Sequence, residues 1–464
     1  MSLPIQTQPE HNADANRSRQ LPLTFQQAWL WSLSRQYPDW NCTVTETFRL
    51  KGPLEISVLQ RSLDETYRRH GSLRTRIVVV DGVGLQQIDP PQGCRIESVA
   101  ITGSGIALEA CAQRTVEEFA DLRIDPLTDP LVRIRLLRLS PDEHWLVLAM
   151  HRLIGDCASI GQAVREIWAL HDEWAEGTRS DFPGDPPQYT DYAQWQQQTR
   201  GQWLARHQTY WNDRLAGALP LRWPRRDATS ETDRKSLGKL QCHFGDRLSK
   251  EVHKLARTVK TLPGTVMLAV YVAVLSRWCR QRSFVLPFVV AGRPSEYRRT
   301  IGNFSHVLYL RFDLAENESF VTLSSRVSNE FYRASSHQDF GQMAAAKPAL
   351  LDGTLFQWVT WHPDDALRPY RAAAHEARQV TAERIPIRDF ADGLTAIPPG
   401  RVDVEMTFFD TATEIYAAAT YRADHFRPQT MECFMQDLLS TTEQFICDPH
   451  AHILTQTTTP AAIP

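Results

Sequence analysis

The chain has 464 residues, 42% of them hydrophobic and 23% charged, with 51 Lys and Arg against 54 Asp and Glu for a net charge of −3. That balance excludes a strong basic field for nucleic acid or an anionic membrane, and the length allows two to three domains or two large lobes. The eight cysteines (Cys42, Cys94, Cys111, Cys157, Cys242, Cys279, Cys433 and Cys447) show no Cys-x-x-Cys spacing, so reduced thiols in a cytoplasmic protein are expected rather than a disulfide framework.

Residues 1–20 are polar and lack the apolar stretch of a signal peptide, so they are expected to be a disordered tail. From residue 21 to 180 helical and strand patterns alternate. Leu54, Val58, Leu63 and Tyr67 recur at near-helical spacing beside Pro53, which predicts an amphipathic helix. Thr75–Val80, then Asp81-Gly82, then Val83 onward predicts two strands joined by a tight turn. Residues 131–139 alternate arginine with aliphatics, and Arg133, Arg135 and Arg138 are expected on a solvated strand face. Pro141-Asp142-Glu143 turns this strand into a second one, His144-Trp-Leu-Val-Leu-Ala-Met150, which ends at Met-His-Arg-Leu-Ile-Gly-Asp-Cys-Ala-Ser, residues 150–159. Strand ends that open into loops hold chemistry well, because a rigid element fixes the side chains. Ile160, Val164, Ile167, Leu170 and Trp174 then trace one helical face.

A Pro-rich stretch within 181–188 marks a linker, and 189–450 is expected to form a second α/β lobe that opens on a Gln- and Trp-rich helix. The longest apolar run, Val266 to Leu275, is too short to span a bilayer and is expected to be a buried helix. Residues 451–464 are expected to be a flexible tail. Both ends read as termini of a free-standing protein, and no repeat period is visible.

Several segments resemble, in order, the motifs of the condensation domains of nonribosomal peptide synthetases. Residues 151–157 are similar to the His-His-x-x-x-Asp-Gly signature, with Arg152 at the second histidine and Cys157 at the glycine. Pro22 to Trp31 resembles the Ser-x-x-Gln-x-x-Leu-Trp opening motif, with Thr24 for Ser. Arg69 to Thr75 is similar to Arg-His-Glu-x-Leu-Arg-Thr, with Gly71 for Glu. Tyr189 to Trp195 matches Tyr-x-Asp-Tyr-Ala-x-Trp. Gly292-Arg293, Ile301 to Val307 with His306 at an asparagine position, and His337 to Phe340 resemble the remaining elements.

The resemblance implies an α/β fold of two chloramphenicol-acetyltransferase-like lobes, a V-shaped pseudo-dimer with a central tunnel, working as a monomer. It implies an acyl chain delivered on the phosphopantetheine arm of an acyl or peptidyl carrier protein, no bound cofactor, and a small-molecule amine or alcohol acceptor. His151 is expected to be structural in the loop. Asp156 is expected to hold the loop through a hydrogen bond or ion pair, with Arg293 as partner. Gly155 is expected to serve an awkward backbone conformation, and Cys157 to be a small buried thiol. Cys157, Ser159 and Ser305 are expected along the tunnel. Arg152 cannot accept a proton, because a guanidinium stays charged, yet it can donate hydrogen bonds to an oxyanion or a substrate carboxylate. His306 is expected to supply, from the other lobe, the imidazole missing at 152; the plainer alternative is that it only fills the wall.

Two functions follow. The first is a free-standing acyltransferase that makes an ester or amide, including chain release, in peptide or hybrid polyketide biosynthesis. The second is a silent platform that recruits a tailoring enzyme or carrier protein, as the His-Arg signature of glycopeptide X domains implies. A carrier-independent O-acyltransferase fits less well with the Tyr189–Trp195 match. A heterocyclisation domain would carry Asp first in the signature, and an epimerisation domain both histidines.

Overall fold

The computed structural model describes residues 18–176, 184–224, 237–338, 348–360, 380–385, 398, 402–411 and 413–454. The first half runs β1 (Arg19–Pro22), α1 (Phe25–Gln36), β2 (Thr43–Lys51), α2 (Ile56–Arg69), β3 (Thr75–Val80), β4 (Val83–Ile88), β5 (Ile96–Ala100), α3 (Gly105–Asp121), β6 (Val132–Ser140), β7 (Glu143–His151) and α4 (Cys157–Glu176). The second runs α5 (Tyr189–Arg214), β8 (Leu237–His243), α6 (Gly245–Thr258), α7 (Pro263–Cys279), β9 (Ser283–Val290), β10 (His306–Asp313), α8 (Phe320–Ser335), β11 (Thr354–Thr360), β12 (Thr381–Ile385), β13 (Val404–Asp410), β14 (Ile415–Arg422) and α9 (Pro428–Cys447).

Local chemistry accounts for the turns and ends. Asp81 and Gly82 both take left-handed φ (51° and 78°), which suits the twist of the β3–β4 hairpin and puts Val80 opposite Val83. Thr24 caps α1 reciprocally: its hydroxyl accepts the Gln27 N–H, and the Gln27 side chain accepts the Thr24 N–H. β7 is buried from His144 to His151 because β2 and β6 flank it and helices cover the sheet. Its near-continuous apolar run reflects that two-sided burial.

The described strands form three sheets. β12-β2-β7-β6-β5 forms one, β10-β9-β11-β13-β14-β8 another, and β1-β4-β3 a small third. Leu59, Leu63, Leu146, Leu148, Val164 and Ile167 belong to the first core. The second is centred on α7, whose residues from Gly264 to Ser276 are all buried, as the apolar run predicts. Among the described residues no single helix is long and apolar enough to cross a membrane. None of the eight cysteines is joined in a disulfide.

Four boundaries differ from expectation. Arg19 and Gln20 belong to β1, paired with Ile88 and Gln87, rather than to a tail. Residues 184–188 are tied down, with Arg69 donating to the Gly184 carbonyl at 2.8 Å. Ile453 is fully buried, and its N–H donates to Glu318, so the ordered chain runs past 450. Strand β12 leaves its own half and pairs antiparallel with β2, extending the first sheet. A span of 189–450 is therefore not a self-contained lobe. Such an exchange lies between residues hundreds of positions apart and leaves no local pattern to read.

Candidate functional site

β7 ends at His151, and α4 starts at Cys157, so residues 152–156 form a tight loop between a buried strand and a helix. Asp156 opens the helix. Its Oδ1 accepts the Ser159 N–H at 2.9 Å, and its own N–H donates to Ser159 Oγ at 3.3 Å. The same carboxylate reaches into the other half of the chain. Arg293 Nη2 donates to Oδ1 at 2.7 Å, and the Phe304 N–H donates to Oδ2 at 3.1 Å. Arg293 also donates to the carbonyls of Tyr297 and Thr300, and its guanidinium lies over the Phe304 ring at 4.3 Å. The signature loop is thus clamped by the segment that connects β9 to β10.

Arg152 is held by its backbone. Its N–H donates to the Cys42 carbonyl at 2.9 Å, and its own carbonyl accepts from Asn303 Nδ2 at 2.8 Å. Its side chain is buried, and Nη2 has no acceptor among the described residues. His151 Nδ1 accepts the Leu153 N–H at 3.1 Å. Burial first, then the Arg152 guanidinium, drives this imidazole down to about 3, so it stays neutral.

His306 starts β10 with its ring against Gly292, where a Cβ would stand 2.0 Å from the ring carbon Cδ2. Gln26 Nε2 lies 2.9 Å from its Nε2 and 3.2 Å from its Nδ1. Burial pushes this imidazole down to about 3 as well. A cavity of about 10 Å³, room for one water, is lined by Gln26, Asn303, Ser305 and His306. The structure does not join His306 to Arg152 by a hydrogen bond: Nη2 of the guanidinium donates none, and the ring faces Gln26. Asn303 lies beside both, lining the cavity with His306 and donating to the Arg152 main-chain carbonyl.

Three other expectations change. Gly155 has no left-handed φ; a Cβ there would sit 2.1 Å from Met150 Sδ, so lack of space excludes a side chain. Ser159 is fully buried and bonded to Asp156, Arg293 and Gly302, which makes it part of the clamp and not a tunnel wall. Cys157 is half-buried and packs against Phe409 and Ala418 of the second sheet.

Sequence reasoning assigned no role to Gln26, Gln27, Tyr189 or Asn303. Gln27 Nε2 donates to the Leu153 carbonyl at 2.9 Å, and Tyr189 OH meets Thr24 Oγ1 at 2.9 Å and donates to the Asn303 carbonyl. The opening motif and Tyr189–Trp195 were the available signals. Asp339 and Phe340 lie outside the described residues; His337 Nδ1 stands 3.0 Å from His207 Nδ1. Arg133 and Arg135 are not a free solvated face: they pair with Asp129 and Glu97 along an open cleft of about 810 Å³ in the first half. Among the described residues no group of three or more His, Cys, Asp or Glu is placed to hold a metal.

Residues 17–462 match the model of the condensation domain. The chain belongs to the condensation domain family. It is 28% identical over 420 residues to chondramide synthase cmdD of Chondromyces crocatus, covering 87% of this chain and 10% of that protein. It is 33% identical over 299 residues to surfactin synthase subunit 1 of Bacillus subtilis, covering 63% of this chain and 8% of that protein. The chain thus spans a tenth or less of the length of these two relatives. Among solved structures, SgcC5 from Streptomyces globisporus superposes with a TM-score of 0.74 at 21% identity, covering 93% of this condensation domain and all of that chain. The X-domain from teicoplanin biosynthesis superposes with a TM-score of 0.76 at 20% identity, over 94% and 97% of the two chains. These likenesses show the fold: two halves, each like chloramphenicol acetyltransferase.

Proposed function

We propose that this condensation domain is an acyltransferase that takes an acyl chain from the phosphopantetheine thioester of a carrier protein. The acceptor is a small amine or alcohol, and the product an amide or ester in nonribosomal peptide or hybrid polyketide biosynthesis. The observation that carries this reading is the clamp of Asp156, Arg293 and Ser159, which holds the signature loop against the 301–306 segment of the other half. Acyl transfer needs reactants fixed in place, and a loop bonded on both sides meets that need.

In the reaction, the lone pair of the acceptor nitrogen or oxygen attacks the thioester carbonyl carbon. The new C–N or C–O bond forms, the C–S bond breaks, and the thiolate leaves with the proton the acceptor loses. Arg152 takes no part in that proton transfer; we assign it hydrogen-bond donation to an anionic oxygen. We assign His306 a positioning role, as a neutral ring that acts through Gln26.

A silent platform for a carrier protein or tailoring enzyme is the second reading. Arg152 favours it, since a guanidinium removes the base from the signature. A solved complex of the teicoplanin X-domain with OxyB offers the analogy.

An intact-mass assay separates the two, with purified protein, an acyl-loaded carrier protein and a panel of amines and alcohols. Protein-dependent loss of the acyl mass with a new ester or amide supports the enzyme. Carrier binding without turnover, across the whole panel, supports the platform.

A further inference from the structure

Arg152 carries a charge that no carboxylate among the described residues pairs with. The residue is 3% exposed, and its Nη2 is shut from solvent without an acceptor among them. Its described neighbours supply no uncommitted negative charge. Cys42, bonded to it through the backbone, has its thiol raised to about 12 by burial despite the pull of the guanidinium, so it stays protonated. His151 is neutral. Asp156, four residues on, is already committed to Arg293, Ser159 and the Phe304 N–H. Buried charges in folded proteins are paired, because leaving one unpaired is expensive; a resting unpaired guanidinium therefore marks the place of an anion.

We propose that this anion is a carboxylate on the acceptor: a small amine or alcohol bearing a free acid. The proposal rests on the acyl-transfer reading and names its substrate class. A planar guanidinium fork matches the two oxygens of a carboxylate. The thioester carbonyl is neutral, and the tetrahedral oxyanion exists only in passing, so neither compensates the charge in the resting complex. The phosphate of the donor arm stands at the opposite end of that arm from the reacting carbon. The consequence is specific. An acceptor tethered to a carrier has spent its carboxyl group in the thioester and presents no anion, so Arg152 selects a free acid over a carrier-bound acceptor.

The test uses the full chain and an acyl-loaded carrier protein. Amine and alcohol acceptors are offered in matched pairs, each as free carboxylate and as the neutral primary carboxamide. The expected result is a KM lower for the acid by on the order of 10- to 100-fold, the range of a charge-assisted hydrogen-bond pair. Arg152→Gln removes that preference, and Arg152→Lys keeps part of it. Equal use of acid and carboxamide, or an acid preference that survives Arg152→Gln, overturns the proposal.

Titration of the same acids and carboxamides by calorimetry, without a donor, separates this inference from the reading beneath it. If no acceptor is acylated, yet the acids bind wild type and not Arg152→Gln, the carboxylate site stands and the transfer reading falls. If neither form binds and none is acylated, the carboxylate site falls too. A donor-arm source is tested by titrating phosphopantetheine against pantetheine. A dependence on phosphate that Arg152→Gln abolishes assigns the guanidinium to the donor and overturns the acceptor assignment.

Discussion

Asp156 Oδ1 and Arg293 Nη2 meet at 2.7 Å across the two halves of the chain, with side chains 6% and 12% exposed. The pair holds the signature loop to the second half, and its position in the interior decides what its loss does. Removing one partner leaves a buried charge unpaired, which costs about 3–5 kcal/mol. Arg293→Ala is expected to lower the unfolding free energy by that order in urea or guanidinium melts, and Asp156→Ala to do the same. The double variant should cost less than the two singles added. Additive losses would mean that the two residues act separately.

Gly292 and Gly155 both exclude a side chain, but for different reasons. At Gly292 an added Cβ meets the Phe304 carbonyl oxygen at 2.4 Å and the His306 ring, and φ is +57°. At Gly155 the nearest atom is Met150 Sδ, one bond short of the end of a flexible side chain. Gly292→Ala is therefore expected to destabilise more than Gly155→Ala, by about 2–3 against 1–2 kcal/mol. Thermal unfolding of the two variants checks the order.

His151 and His306 are both buried, and both imidazoles are pushed down to about 3 from an ordinary value near 6.5. A depressed histidine stabilises the fold in full above its unfolded value. That contribution fades as pH falls from 6.5 toward 3, because the unfolded chain binds the proton more readily. Each ring is expected to contribute a slope of about 1.4 kcal/mol per pH unit in that window. Denaturant melts at pH 7, 6 and 5 should show falling stability, with a shallower slope in His306→Gln. A midpoint unchanged over this range would count against neutral burial of both rings.

Arg152 has a stability signature independent of activity. Replacing a buried, unpartnered guanidinium by an uncharged chain of similar length removes its desolvation cost. Arg152→Met is therefore expected to stabilise the protein by on the order of 1–3 kcal/mol. A loss of stability would reveal a partner for the charge within the fold.

Cys433 and Cys447 are exposed, whereas Cys42, Cys94 and Cys242 are buried. A thiol reagent at neutral pH is expected to label the first two within the time that leaves the other three untouched. Labelling of Cys42 at the same rate would mean that the β2–β7 end of the sheet opens readily.

Much of this protein is written in short stretches of chain. The turn at Asp81-Gly82, the apolar helix around Val266–Leu275 and the Thr24 cap each depend on neighbours a few residues away, so composition and spacing are enough to predict them. The ordered motifs from Thr24 to His337 likewise carry the family, and they single out Asp156 and Arg293 as a pair. The exchange of β12 into the first sheet could not be read, because pairing Thr381 with Lys51 depends on a surface assembled from both halves. Nor could the state of the charge on Arg152. Whether a guanidinium is solvated, paired or left alone is set by what surrounds it in three dimensions. Only the folded chain shows that Asp156 has been taken by Arg293, that His306 faces Gln26, and that the Arg152 guanidinium has no carboxylate partner among the described residues.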